Sequence, residues 1–135
     1  METVKLNNDV TVFGLYVKNF PGGVSEAFDK LVKMLPNDQR SYYGIYGMTK
    51  NGYAYYATAE EMKKGEAEKY DCEKLIIKKG EYISESLKDW RNNIVCIKDI
   101  FEELSKDPRA DMTEPIVEWY KNEKEMLCML KTKTS

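Results

Sequence analysis

Residues 114–130, EPIVEWYKNEKEMLCML, decide how the C-terminal part of this chain folds. With the two-residue period of a β-strand, the first half of this segment places Ile116, Glu118 and Tyr120 on one face. A short polar stretch follows, and a second apolar run then ends at Leu130. This pattern predicts a β-hairpin with a loop of several residues.

Glu118 is the unusual residue of this hairpin, because a packed sheet face favours an apolar side chain between Ile116 and Tyr120. Two interpretations remain open from the residues alone. Either this face of the strand is exposed to water, or the carboxylate lies among aromatic rings and receives a cationic or polar ligand.

The composition is that of a single soluble domain. A chain of 135 residues is long enough to form a core without disulfides or metals. Its net charge of −2 argues against electrostatically driven nucleic-acid binding. No apolar run is as long as a membrane span, and the N-terminus lacks the apolar region of a signal peptide. We therefore expect a cytoplasmic protein with no membrane partner and no direct nucleic-acid partner.

The absence of histidine excludes several kinds of chemistry. The 135 residues contain no histidine, so Ser–His or Cys–His nucleophiles and histidine-ligated zinc cannot form. Cys72, Cys96 and Cys128 lie in apolar stretches without metal-ligand spacing, which predicts buried free thiols in a reducing compartment. No glycine-rich phosphate-binding motif is present. We expect no metal and no cofactor, and a function that depends on carboxylates, tyrosines, lysines and shape.

The N-terminal half predicts the order strand, helix, strand, strand. The predicted elements are a strand at 10–19, a helix with Ser25 as its candidate N-cap, and a hairpin of residues 42–48 and 53–59. Phe20-Pro21-Gly22-Gly23 ends the first strand, and Pro36-Asn37-Asp38 ends the helix. Lys50-Asn51-Gly52 is a good turn sequence for the hairpin.

The second half repeats this order after a charged segment. Residues 60–74 carry charges of both signs and predict a solvated connection with one helical turn at most. Residues 75–86 predict a long strand, interrupted at Lys79-Gly80 by a bulge. Asn92 or Asn93 would cap the following helix, and the hairpin of residues 114–130 completes the unit.

These elements predict an α+β fold in a single domain spanning residues 1–135. Two βαββ units, at about 10–59 and 75–133, would join into one curved antiparallel sheet. Both helices would lie on one face, with a ligand groove on the other. The main alternative is a ferredoxin-like βαββαβ arrangement without a groove.

Four segments of the chain stand in an order that resembles the gyrase-inhibitor-like (GyrI-like) small-molecule-binding domains. They are YYGIYG at 42–47, YYATAEE at 55–61, KLIIKKGEYISES at 74–86 and IVEWYKNEKE at 116–125. Such domains also occur as effector-binding domains of multidrug-sensing transcription regulators, and they are related to the SOUL haem-binding fold. The resemblance covers residues 10–133 and consists of hydrophobic pattern and element order.

The resemblance also implies a site. In these domains an acidic residue on the penultimate strand lies at the floor of an aromatic pocket and meets lipophilic, often cationic ligands. The matching acid in this chain is Glu118. The ligand-binding residues that the resemblance implies are Glu118, Tyr120, Tyr43, Tyr46, Tyr55 and Trp90.

Strand alternation limits which side chains can share this pocket. Neighbouring residues point to opposite faces, so Tyr55 and Tyr56 cannot both face it. The same alternation sets Trp119 opposite Glu118, and we expect it in the core beneath the helices. Trp90 would roof the groove, although this chain has Leu87-Lys88-Asp89-Trp90 where the family often has a Gly-Pro-containing loop.

Three functions fit this reading of the sequence. A stand-alone domain that senses or sequesters lipophilic or cationic small molecules ranks first, because a pocket requires only the fold. The second is a small-molecule hydrolase, as some family members are, in which Glu118 activates water and Tyr120 donates a proton. The third is a protein-binding inhibitor module of the gyrase-inhibitor type, which no exposed motif supports. An enzymatic role is the less favoured prediction, and no catalytic residue is assigned.

Overall fold

A computed structural model describes residues 1–36, 39–49 and 52–133. The strands are β1 (Glu2–Leu6), β2 (Val10–Val17), β3 (Tyr42–Thr49), β4 (Gly52–Glu60), β5 (Glu73–Ile77), β6 (Gly80–Lys88), β7 (Ile116–Tyr120) and β8 (Glu125–Lys131). The helices are α1 (Val24–Met34), α2 (Glu66–Lys69) and α3 (Cys96–Ser105), with a single 3-10 turn at Trp90–Asn92.

All eight strands form one antiparallel sheet in the order β1-β6-β8-β7-β3-β4-β2-β5. The sheet curls into a half-barrel, so that side chains from its two edge strands meet in one apolar cluster. Val4 and Leu6 of β1 and Leu75 and Ile77 of β5 all belong to this cluster. The prediction of a curved antiparallel sheet in an α+β fold is therefore confirmed.

The two long helices cover the outer face of the half-barrel. Both have the apolar stripe of an amphipathic helix: Leu31 of α1 is fully buried, and Leu104 of α3 is nearly so. Helix α1 packs mainly on β2 and β4, and α3 packs mainly on β6 and β8. The two central strands, β7 and β3, run between the helices.

The predicted placement of the groove is wrong. Glu118 and Tyr120 lie on the same face as the helices, since Tyr120 packs in the cluster beneath α3 and against Phe28 of α1. The opposite face, which carries Val117 and Trp119, is the inside of the half-barrel. The curl explains the difference, because a sheet that folds over its own inner face buries that face without helices.

The long strand predicted at residues 75–86 is two strands with different partners. Strand β5 pairs with β2, whereas β6 pairs with β1 and β8. The chain changes partner at Gly80, whose φ of 133° is a conformation that glycine adopts without strain. Strand β1 was not predicted. The N-terminal half thus contributes β1 to pair with β6, and the C-terminal half contributes β5 to pair with β2. The predicted βαββ units did not include this exchange.

The predicted helix caps are also wrong. Helix α1 begins at Val24 with Gly23 at the N-cap, two residues before the predicted cap Ser25, and none of the described side chains caps it. Helix α3 begins at Cys96, and both candidate asparagines bond elsewhere. The Asn92 amide donates to the Asp89 carboxylate, and the Asn93 amide donates to the Asp89 carbonyl oxygen.

Two predicted turns involve residues outside the described part of the chain. These residues are Asn37 and Asp38, which follow α1 in the sequence, and Lys50 and Asn51, which stand between β3 and β4 in the sequence. The hairpin itself is confirmed, because β3 and β4 pair along their whole length up to Thr49 and Gly52.

The charged segment 60–74 is not simply solvated. Within it Glu66, at the start of α2, is buried and forms an ion pair with Arg40 at 2.9 Å. Its other oxygen accepts the backbone N–H groups of Met62 and Lys63. The carboxylate therefore anchors this connection to Arg40, two residues before β3, which the mixed charges of the sequence did not indicate.

The three cysteines are free, with Cys128 buried and Cys72 and Cys96 partly buried. Across residues 1–36, 39–49 and 52–133, no helix is both long and apolar enough to cross a membrane.

Candidate functional site

Glu118 is held by two tyrosine hydroxyls. Tyr55 on β4 donates to Glu118 Oε1 at 2.5 Å, and Tyr120 on β7 donates to the same oxygen at 3.0 Å. Within the described chain no donor is found for Oε2, and no lysine or arginine forms an ion pair with this carboxylate. The carboxylate is thus oriented by neutral groups, and its charge has no cationic partner there.

Gly44 makes this arrangement possible. In the sheet, β3 lies between the strand of Glu118 and the strand of Tyr55, and Gly44 is the residue directly opposite Glu118. A Cβ atom at Gly44 would overlap both the Tyr55 hydroxyl and Glu118 Oε1. The missing side chain lets the Tyr55 ring cross β3 and reach the carboxylate, the close approach for which a strand glycine is suited.

Aromatic rings surround the carboxylate on the helix-bearing face. We call this set the aromatic cluster: Phe20, Phe28, Tyr46, Tyr53, Tyr55, Trp90 and Tyr120. The Phe20 ring stacks on both Tyr46 and Tyr55, with centroids 5.0 Å apart in each case. Tyr46 stacks in turn on Tyr53 at 5.5 Å. The stack therefore runs from an exposed ring, Tyr53, to the tyrosine that bonds Glu118.

Phe28 and Trp90 pack on Tyr120, the other tyrosine that holds the carboxylate. The ring centroids of Phe28, from α1, and Tyr120 are 5.3 Å apart, and those of Trp90 and Tyr120 are 4.8 Å apart, both in an edge-to-face arrangement. Both helix-bearing halves of the molecule thus supply a ring that packs on Tyr120. This places Glu118 in the space that α1 and α3 leave over the central strands.

The structure brings five of the six predicted site residues together. These are Glu118, Tyr120, Tyr46, Tyr55 and Trp90. Tyr43 is the exception. It is buried inside the half-barrel and stacks on Trp119 at 6.0 Å. Alternation along β3 explains this correction, because Tyr46 lies three residues from Tyr43 and so points to the opposite face.

The structure also decides which of Tyr55 and Tyr56 faces the site. Tyr55 faces Glu118, and Tyr56 lies on the other face beside Tyr16, with ring centroids 5.7 Å apart. Trp119 lies opposite Glu118 as expected, but inside the half-barrel rather than beneath the helices. The expectation about its position was therefore half wrong.

Sequence reasoning missed four members of the site: Gly44, Phe20, Phe28 and Tyr53. Gly44 had a usable signal, since a glycine between aromatic residues of a strand often marks a close contact. Phe20 stood in a stretch interpreted only as a strand terminator, and Phe28 looked like an ordinary core position of α1. Nothing in the local pattern linked either ring to Glu118.

Burial dominates the electrostatics of the site. It raises the pKa of Glu118 above its ordinary value, although the hydrogen bonds from Tyr55 and Tyr120 act in the opposite direction. Burial and the nearby Glu118 charge raise the pKa of Tyr55 and that of Tyr120 far above their usual value. Both tyrosines therefore keep their protons and remain donors to the carboxylate.

Cys128 is a third buried group affected by the charge of Glu118. It lies on β8 directly opposite Glu118, where burial, together with the Glu118 carboxylate, raises its pKa to about 12. A thiol with so high a pKa stays protonated and unreactive at neutral pH. Cys128 thus contributes packing rather than chemistry.

Two cavities lie away from Glu118. One, of about 380 Å³, is bordered by Arg40, Lys63, Lys69 and Tyr70 beside α2. The other, of about 50 Å³, lies against Val117 and Tyr82 inside the half-barrel. Among the described residues no three histidine, cysteine or acidic side chains are grouped closely enough to bind a metal ion.

No protein-family model matches this chain, and no curated protein matches it either. Solved structures do match it over 98% of its length. An integron cassette protein from the mobile metagenome of Vibrio cholerae has a TM-score of 0.72 and 14% identity, with 95% of that chain covered. The protein SAV2435, solved with tetraphenylphosphonium bound, has a TM-score of 0.73 and 10% identity, with 93% covered.

A third similar structure is a putative bacterial transcription regulation protein from Staphylococcus aureus. Its TM-score is 0.65 and its identity 11%, with 97% of that chain covered. At these identities the likeness shows a shared fold. The fold is consistent with the GyrI-like resemblance of the sequence, and one protein that shares it binds a lipophilic cation.

Proposed function

We propose that this protein binds lipophilic organic cations in the aromatic cluster, with Glu118 as the group that recognises their charge. The observation that carries the proposal is a carboxylate held by two neutral hydroxyls, without a cationic partner among the described residues. A partly buried charge of this kind is costly unless a partner compensates it. A bound cation would supply that partner.

The rings around Glu118 suit a large, weakly hydrated cation. Aromatic faces attract cations through their quadrupole, and they also bury the apolar surface of the ligand. Tyr55 and Tyr120 each combine a ring with a hydroxyl that orients the carboxylate. SAV2435, which has a similar fold and was solved with tetraphenylphosphonium bound, supports this ligand class. The role would be to sense or to sequester such molecules.

Hydrolysis fits the geometry less well. In that alternative Tyr120 would protonate a leaving group while Glu118 activates water. Both tyrosine hydroxyls, however, already donate their protons to Glu118 Oε1, which leaves neither proton directed at a substrate. The arrangement therefore favours binding over hydrolysis.

The test is a titration of tetraphenylphosphonium against the wild type and Glu118→Gln, followed by tryptophan fluorescence. The substitution keeps the shape and removes the charge, so we expect binding to weaken by about 1–3 kcal/mol. Triphenylphosphine oxide, a neutral aromatic ligand, should bind both proteins with similar affinity. Glu123→Gln, in the exposed β7–β8 turn, serves as the matched control. Equal affinity of the cation for the wild type and Glu118→Gln would contradict the proposal.

A further inference from the structure

Two of the rings that pack on the tyrosines holding Glu118 come from connections between elements, and they are attached to the protein in different ways. Phe20 covers Tyr55 from the connection between β2 and α1. Trp90 covers Tyr120 from the connection between β6 and α3. Each of these two rings therefore packs on one of the tyrosines that hold Glu118.

Trp90 is anchored by polar contacts. Its indole Nε1 donates to the carbonyl oxygen of Asn122 at 3.0 Å, which ties it to the β7–β8 turn. The guanidinium of Arg91 lies 5.1 Å from the centre of its ring. In addition, the Asp89 N–H donates to the Lys124 carbonyl oxygen, so the backbone before Trp90 is tied to the same turn. Trp90 is thus a fixed wall of the site.

Among the described residues, Phe20 has no comparable anchor for its ring. A phenyl group cannot form ordinary hydrogen bonds, and the ring is held by its stacking on Tyr46 and Tyr55. It is also 48% exposed, so about half of its surface gains nothing from burial. The backbone around it is fixed, since Gly23 N–H donates to the Asn19 carbonyl oxygen and Val24 N–H to that of Pro21. The side chain can therefore rotate away while its loop stays in place.

We propose that Phe20 is the movable, specificity-determining residue of the Glu118 site and selects cations by their bulk. This inference rests on the proposed cation-binding function. A flat cation can stack on the Phe20 ring, which is nearly parallel to the rings of Tyr46 and Tyr55. A tetra-aryl cation is broad in every direction and requires the Phe20 ring to leave before it can contact the carboxylate.

The experiment compares Phe20→Ala with Tyr16→Ala. Tyr16 has a similarly exposed ring, 53% against 48%, but it lies on the opposite face beside Tyr56. Stopped-flow fluorescence would follow the binding of tetraphenylphosphonium and of N-methylacridinium, a flat cation. For Phe20→Ala we expect association of tetraphenylphosphonium to accelerate about tenfold, because two ring contacts no longer have to break. The affinity for N-methylacridinium should fall about fivefold because a stacking face is lost.

The outcomes separate this inference from the proposed function. If the wild type binds both cations and Phe20→Ala behaves like Tyr16→Ala, the selective role of Phe20 is wrong and cation binding stands. If neither cation binds any of the proteins, the proposed function fails, and the selective role fails with it.

A measurement without ligand tests the mobility directly. Ring ¹³C relaxation dispersion should show exchange at Phe20 and none at Phe28, which packs from α1 onto the buried cluster of Val17, Tyr55 and Ala57. A Phe20 ring as rigid as that of Phe28 would overturn the inference even if cations bind.

Discussion

Glu118 is the residue on which pH should act most directly. Burial raises its pKa above that of a free glutamate, so its protonated form persists to higher pH than in an exposed side chain. A cation gains from the carboxylate form alone. Cation affinity should therefore be weak below the raised pKa, increase as pH rises through it, and level off above it.

This pH dependence can be measured by titrating tetraphenylphosphonium at several pH values against the wild type and Glu118→Gln. The ligand itself does not titrate, so the protein causes any change. The wild-type affinity should rise with pH, and that of Glu118→Gln should stay flat. A parallel rise in both proteins would assign the effect to a group other than Glu118.

Gly44 offers a second test at the scale of one residue. Its Cβ atom in Gly44→Ala would overlap Tyr55 and Glu118, so one of them must move. We expect a loss of about 1–3 kcal/mol in the free energy of unfolding, as for other overpacked sites. Cation binding should weaken as well, because the Tyr55–Glu118 hydrogen bond is disturbed.

Gly22→Ala is the control for this substitution. It adds the same methyl group where the nearest atom is 3.8 Å away, in the loop before α1. Its unfolding midpoint in urea should match that of the wild type. If Gly44→Ala also unfolds at the wild-type midpoint, the close approach of Tyr55 across β3 is incorrect.

At the scale of elements, the two outer helices define the site by leaving the central strands between them. Helix α1 contributes Phe28, and the connections that precede α1 and α3 contribute Phe20 and Trp90. Glu118 itself comes from β7, and its partner Tyr55 comes from β4. The site therefore depends on how α1 and the central strands are held together rather than on any single element.

The Arg40–Glu66 ion pair holds α2 against the start of β3, a central strand of the sheet. The side chains are only 1% and 8% exposed, so Arg40→Met leaves a buried carboxylate without its cationic partner, held only by the N–H groups of Met62 and Lys63. We expect this variant to lose about 3 kcal/mol in the free energy of unfolding. The double variant with Glu66→Met should recover part of the loss, because no buried charge remains, although the N–H groups of Met62 and Lys63 lose their acceptor.

The matched control for this prediction is the Lys106–Glu103 pair on α3. Its N–O distance of 3.0 Å is similar to that of the buried pair, but its side chains are 72% and 74% exposed. Lys106→Met should leave the urea midpoint almost unchanged, because water screens an exposed pair. Equal losses for Arg40→Met and Lys106→Met would show that burial does not strengthen the Arg40–Glu66 contact.

At the scale of the whole molecule, net charge limits the range of partners. The 135 residues carry 21 basic and 23 acidic side chains, and the resulting charge of −2 provides no overall attraction to phosphate backbones. We predict no binding of duplex DNA at physiological ionic strength, even at micromolar protein. An electrophoretic mobility shift that saturates under these conditions would contradict the prediction. It would indicate that the protein has a basic surface patch despite its net negative charge.

Much of the architecture could be predicted from the sequence. The β3–β4 and β7–β8 hairpins and the two long helices follow from periods of two and of about 3.6 residues, which are local properties of the chain. The antiparallel α+β sheet follows from the order of these elements. Strand alternation also set Trp119 opposite Glu118 and excluded one of Tyr55 and Tyr56, without deciding which.

Only the tertiary structure decided which face of the sheet forms the site. The period of a strand tells which residues share a face, but the curl of the whole sheet decides whether that face is turned inward. That curl buries Tyr43 inside the half-barrel and places Glu118 between the helices. Phe20 joined the site for the same reason, since its contact with Tyr55 joins positions far apart in the chain, whereas sequence patterns report on neighbours.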